Sequence, residues 1–205
     1  MKNLFNTLIK ASLVAVLLSG SLFASTASAA IVTITKAASN PDIKKVVVLG
    51  NVKVTLVQNK SEFVTMDELF LDRVSVKQIG QTLTISSTEK IPVSVTVYVK
   101  DIYRISVADQ ASVRTAGKCN FTNLQVIVKD DATARVKATT QSLYTVISDR
   151  AKLELLGTTV NHIYKMSGVA KIDTNKFAAL KTDFEASTTE AVVLNTVKDT
   201  AHVKK

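Results

Sequence analysis

From Ile31 onward apolar and polar residues alternate with a period of two, which is the signature of strands that bury one face. Ile31 to Thr35 predicts a first short strand, and Ser39-Asn40-Pro41-Asp42 is a turn sequence that ends it. Val46 and Val48, followed by Val52, Val54 and Leu56, predict two strands broken at Gly50-Asn51. The polar run from Gln58 to Glu62 is turn material, and Asp67 to Asp72 is the one place where a helical turn is expected. Val74 with Val76, Leu83 with Ile85, and the run Val93, Val95, Val97, Val99 predict further strands, parted by Ile79-Gly80-Gln81 and by Ser87 to Lys90.

Beyond residue 100 the pattern takes on a longer period. The phrase Asp109-Gln110-Ala111-Ser112-Val113 returns as Asp130-Asp131-Ala132-Thr133-Ala134 and Asp149-Arg150-Ala151-Lys152-Leu153. Looser copies stand at Gly168-Val169-Ala170-Lys171-Ile172 and Thr189-Glu190-Ala191-Val192-Val193, so the five alanines are 21, 19, 19 and 21 residues apart. A unit of that length cannot bury its own apolar face and must stack on a neighbour. The expected fold is therefore all-β, a right-handed parallel β-helix or solenoid with rungs of about 20 residues. The N-terminal strands would form the first part of the same body. Aligned on their alanines, the copies place Val107, Val128, Ile147, Met166 and Ser187 in one column and Val113, Ala134, Leu153, Ile172 and Val193 in another. Both alternate with Ser112, Thr133, Lys152 and Lys171, so the alanines should point inward. Outward columns set Asp131 beside Arg150 and Arg135 beside Glu154, opposite charges that favour parallel stacking in register.

Composition narrows the class. Six glycines, two prolines and a preponderance of β-branched residues exclude a helical bundle. Residues 1–29 read as an export signal, with Lys2 and Lys10 beside an apolar run from Ala11 to Leu18 and a small-residue cleavage site at Ala27-Ser28-Ala29. That run is too short to span a bilayer, so the mature chain, residues 30–205, is expected to be a single exported domain without a transmembrane span. Its location would be periplasmic, outer-membrane-associated or extracellular. The formal charge is +9 at pH 7, of which Lys2 and Lys10 would leave with the signal. A basic exported chain favours an acidic glycan, an envelope component or a protein as partner. Nucleic acid is not expected, because no basic cluster interleaves with aromatic residues. Cys119 is the sole cysteine, so no internal disulfide forms, and without a neighbouring histidine it reads as a buried thiol.

Candidate chemistry is sparse. Asp109, Asp130 and Asp149 recur one rung apart, and with Asp131 they are the candidate ligand-contacting carboxylates. Three such groups could attract Ca²⁺, but the glycine-rich calcium-binding repeat is absent and Asp is also a common corner residue that satisfies its own turn. No metal and no cofactor is therefore expected. Tyr103, Tyr144 and Tyr164 fall at similar places in three units, as an aromatic stack in or beside the core or a sugar-binding strip. A polysaccharide-processing enzyme on a β-helix scaffold is the alternative reading. It would need paired carboxylates or a carboxylate and a base on one face; no base accompanies Asp109, Asp130 and Asp131, so no catalytic residue is assigned.

Gly50-Asn51-Val52-Lys53-Val54-Thr55-Leu56, the strand run from Val93 to Val99 and the Ser167-Gly168-Val169-Ala170 corner together resemble the head GIN domain, the auto-transporter adhesin family of Bacteroidetes-type bacteria. The resemblance covers most of residues 31–205. The family's usual Ser-Gly-Ser-Gly-Asp corners are reduced here to Ser167-Gly168, with Asp or Ala elsewhere. It implies a β-helix-like domain at the cell envelope with an adhesive, non-enzymatic role, and it carries no catalytic residues.

Overall fold

The computed structural model describes residues 30–35 and 40–186; the expected export signal and the copy of the phrase around Ala191 lie outside the described residues. The fold is all-β. The strands in chain order are β1 (Ile31–Thr35), β2 (Lys45–Gly50), β3 (Val52–Gln58), β4 (Phe63–Asp67), β5 (Ser75–Ile79), β6 (Thr82–Ser87) and β7 (Val93–Val99), then β8 (Arg104–Val107), β9 (Ser112–Ala116), β10 (Asn120–Val128), β11 (Thr133–Ile147), β12 (Lys152–Met166) and β13 (Lys171–Phe184). A 3-10 turn, Glu68–Phe70, occupies the expected helical site, with the Asp67 carboxylate accepting the Leu69 N–H at 3.0 Å. β4 was not expected from the sequence. It follows a polar run, and only Val64 and Met66 face inward.

Among the described residues all thirteen strands belong to one sheet that curls on itself. One flank runs β1, β4, β7, β3, β9 and the first half of β11; the other runs β5, β6, β2, β8, β10 and the second half of β11. β11 joins the flanks because its alternation slips by one residue. Ala134, Val136, Ala138 and Thr140 are buried, then Leu143, Thr145 and Ile147 are buried on the opposite parity. The slip falls at Gln141-Ser142, where the chain bends from one flank into the other. β12 and β13 stack parallel beyond β11 on both flanks.

Pairing is parallel from β8 to β13, and β2 and β3 join the same stack beside β8 and β9. β1, β4 and β5 pair antiparallel at the N-terminal edges. Stacking does not follow chain order there, since β3 lies between β7 and β9. The core is the closed space between the flanks, filled by Val46, Val48, Val54, Leu56, Ile85, Ile105, Val126 and Ile147, all nearly inaccessible to water. Ala111, Ala132 and Ala151 are fully buried, as their spacing predicts, and Ala170 is partly buried against the core. Toward β13 the interior turns polar and aromatic, with Thr140, Thr145, Thr159 and His162 buried beside Tyr164 and Phe177.

Candidate functional site

The recurring phrase forms the tight corner between the flanks. Ala111 donates its N–H to Ala108 O, Ala132 to Lys129 O and Ala151 to Ser148 O, at 3.1–3.2 Å, closing four-residue turns. The first central residue of each is an aspartate with positive φ: Asp109 at 60°, Asp130 at 58° and Asp149 at 61°. Among residues with a β-carbon, Asp and Asn tolerate this region best. Gly50, at φ 73°, occupies the same position one strand further back, where a β-carbon would lie 2.0 Å from the Ser87 carbonyl oxygen. Gly168 (φ 68°) takes it at the other end.

Each carboxylate has a fixed task in this corner. Asp109 Oδ2 accepts the Gly50 N–H at 2.7 Å, Asp130 Oδ2 accepts the Asp109 N–H at 3.0 Å, and Asp149 Oδ2 accepts the Asp130 N–H at 3.2 Å. The aspartates thus form a one-way ladder in which every side chain satisfies the corner amide of the preceding strand level. Ser148 Oγ also donates to Asp149 Oδ2 at 2.7 Å, and this bond, with the Asp130 amide, holds the Asp149 carboxyl below its ordinary value. Asp131 is outside the ladder. It receives Arg150 Nε at 2.6 Å and a second bond from the same guanidinium, which lowers the Asp131 pKa and raises that of Arg150. Among the described residues no group of three or more His, Cys, Asp or Glu side chains is placed to hold a metal ion.

The tyrosines do not share a column. Tyr144 pairs in register with Gln125 and Ile163 and faces outward, whereas Tyr164 pairs with Thr145 and points into the core. Tyr103 precedes Arg104, the residue aligned with Gln125, so it sits one position off Tyr144. The physical reason is that the tyrosines are 41 and 20 residues apart, whereas the strands pair at offsets of 40 (21 plus 19) and 19, so each spacing overshoots the register by one residue and changes face. Tyr164 stacks on His162 at 5.4 Å and contacts Phe184; Tyr144 donates to Glu185 Oε2 at 3.3 Å; Tyr103 lies under the Lys45 ammonium at 5.6 Å. His162 approaches Thr145 Oγ1 at 3.0 Å, and burial pushes its pKa down. Cys119 is buried, with its thiol pushed up by desolvation.

The outward face of the β4–β7–β3–β9–β11–β12–β13 flank extends the expected polar columns, Arg114 to Asp173 and Ser112 to Lys171, with side chains of β3, β4 and β7 that the sequence did not join to them. One row, in strict register, reads Thr65, Thr96, Thr55, Arg114, Arg135, Glu154, Asp173. The next reads Ser94, Lys53, Ser112, Thr133, Lys152, Lys171. The expected pair Arg135–Glu154 forms at 2.7 Å. Like charges nevertheless stand side by side at Arg114/Arg135, Glu154/Asp173 and Lys152/Lys171. Charge complementarity therefore does not set the register; the inward apolar columns and backbone ladder do. Two shallow grooves, about 580 Å³ near β4 and β3 and about 600 Å³ near β11 and β12, meet at Ser112 and Arg114. The part of each row from β9 to β13 is legible in the repeat, whereas its β3 members were hidden because they lie 59 residues from the strand they join.

Solved structures share this fold at low sequence identity. A putative adhesin from Bacteroides fragilis NCTC 9343 superposes with a TM-score of 0.66 at 15% identity, covering 78% of each chain. A putative adhesin from Parabacteroides merdae ATCC 43184 gives 0.56 at 14% over 78% of each chain. A putative lipid binding protein from Parabacteroides distasonis ATCC 8503 gives 0.53 at 13%, over 78% of this chain and 79% of that one. No curated protein matches the sequence. The family model described as "Putative auto-transporter adhesin, head GIN domain" matches residues 42–204, and the chain belongs to that family.

Proposed function

We propose that this protein is a non-enzymatic, exported module of the cell envelope or cell surface that binds a glycan or protein partner in the manner of an adhesin. The observation that carries the reading is the outward face just described, where hydroxyl and charged side chains stand in unbroken register across seven strands. Such a surface suits extended contact with a long partner. The corner aspartates support binding over catalysis, because each is engaged by a backbone amide of the preceding corner. Family membership and the adhesin names of structural neighbours point the same way. Export rests on the sequence of residues 1–29, and the domain would be the single unit 30–205. Parallel pairing at offsets of 19 to 21 residues supports a right-handed parallel β-helix with short rungs, closed at its N-terminal edges by antiparallel strands.

Immobilised protein should retain envelope material at low salt and release it at an ionic strength of about 1 M, where the Debye length falls to about 3 Å. Incubation with acidic and neutral polysaccharides should yield no cleavage products. Turnover that disappears in Asp130→Asn and Asp131→Asn would sink this reading in favour of a polysaccharide-processing enzyme.

A further inference from the structure

We infer that the two joined grooves form a track for an acidic polysaccharide lying across the strands, with Lys53, Arg114, Lys152 and Lys171 reading its carboxylates; this rests on the envelope-binding reading above. On that face Lys53, Arg114, Arg135, Lys152 and Lys171 outnumber Asp67, Glu154 and Asp173, so its net charge is positive. Its carboxylates are already engaged: Glu154 by Arg135, Asp67 by the Leu69 N–H and Asp173 by the Asn175 N–H. Lys53, Arg114, Lys152 and Lys171 form no ion pair among the described residues. Lys152 and Lys171 are direct neighbours in the ladder, an arrangement that repels unless an anion lies against it.

Geometry selects an extended polymer. Lys53 and Lys171 are four strand spacings apart, about 19 Å at 4.8 Å per strand. Each strand advances by a distance comparable to one sugar unit, so successive units meet successive strands. Ser112 and Thr133 stand between Lys53 and Lys152, and Thr55, Ser94 and Thr96 continue the track on the β3 and β7 side; these hydroxyls can donate to and accept from sugar hydroxyls. Arg114 is steered by its Nε–H bond to Thr55 Oγ1 at 3.1 Å, which leaves the terminal nitrogens of the guanidinium for a carboxylate. Phe70 and Ile31 give the β4 end of the track an apolar rim on which a ring face can rest.

The test is titration of the full chain with polygalacturonate at low salt, alongside neutral dextran, a single-stranded DNA oligonucleotide and vesicles containing phosphatidylglycerol. The variants are Lys53→Gln/Arg114→Gln and Lys152→Gln/Lys171→Gln. The control, Lys77→Gln/Lys118→Gln, removes the same charge from exposed positions elsewhere. Polygalacturonate should bind, dextran should not, and each track pair should weaken binding roughly tenfold or more, as expected for the loss of charge-assisted hydrogen bonds. The control should be unchanged, and all variants should melt with the wild type because the altered side chains are exposed. Equal weakening in the control, equal binding of dextran, or tighter binding of DNA or vesicles would overturn the inference. Retention of envelope material without affinity for polygalacturonate would also overturn it while leaving the broader reading intact.

Discussion

Ala151 offers the most direct test of how the corner is built. It is fully buried, its N–H closes the turn on Ser148 O, and Ala132 and Ala170 occupy the equivalent places in the flanking levels. Those levels approach to about 4.8 Å, with Ile147 and Leu153 filling the interior beside it. Ala151→Leu adds three carbons where neighbouring backbones leave room for one methyl, and overpacking of this kind costs about 1–3 kcal/mol. For a chain of this size that lowers Tm by roughly 2–4 °C per kcal/mol, or about 6 °C near the middle of the range. Ala151→Gly should also destabilise, by about 1.5 kcal/mol, from the lost methyl burial and the greater freedom of the unfolded chain. Lys152→Leu, one residue on and facing water, should stay within about 0.5 kcal/mol of wild type. Thermal melts followed by far-ultraviolet circular dichroism measure all three. A one-residue slip exchanges inward and outward positions. A neutral Ala151→Leu beside a destabilised Lys152→Leu would therefore refute the register and the role given to the alanines.

Three further outcomes follow from the corner and the core. Asp130→Asn should melt close to wild type because the amide oxygen can still cap the Asp109 N–H, whereas Asp130→Ala should melt lower for want of the cap and of tolerance for φ 58°; millimolar calcium should shift neither. Burial holds His162 below its ordinary pKa, so the unfolded chain takes up the proton first. The urea midpoint should be level above about pH 6.5 and fall as pH drops from there through the folded value, with His162→Gln flattening that window. Cys119 should resist alkylation in native buffer and react on unfolding, since its buried thiol is pushed up and only the thiolate attacks.

The inward half of the structure was largely written in the chain. Period-two valines mark β2, β3 and β7, and the alanine spacing fixes the three fully buried corners, because burial constrains residue type at every inward position. The outward half was less legible. Lysines and threonines are common on any exposed strand, so nothing in Lys53 foretells Ser112 as its neighbour until pairing at an offset of 59 residues is known. Gly50 belongs to the corner column for the same hidden reason, with the intervening segment folding away to supply β4 through β7. The tyrosines misled because counting residues assumes equal levels. Tyr144 and Tyr164 are 20 residues apart but their strands pair at an offset of 19, and that one extra residue turns Tyr164 inward and leaves Tyr144 outward.

The aspartate ladder has a direction. Every carboxylate reaches toward the N-terminal side of the stack, from Asp149 to Asp130, from Asp130 to Asp109 and from Asp109 to Gly50, and the next position, Gly168, has no side chain with which to continue. The interior level also carries its own coupling at both ends: the segment from Asp130 to Ser148 offers a carboxylate upstream and a corner amide downstream, with the same 19-residue step on to the next level. A tandem duplication of residues 130–148 would preserve both joints and the inward phase of every strand that follows. Length is then a modular property of this architecture, and each added module would extend the outward surface by one strand width while leaving the two ends unchanged.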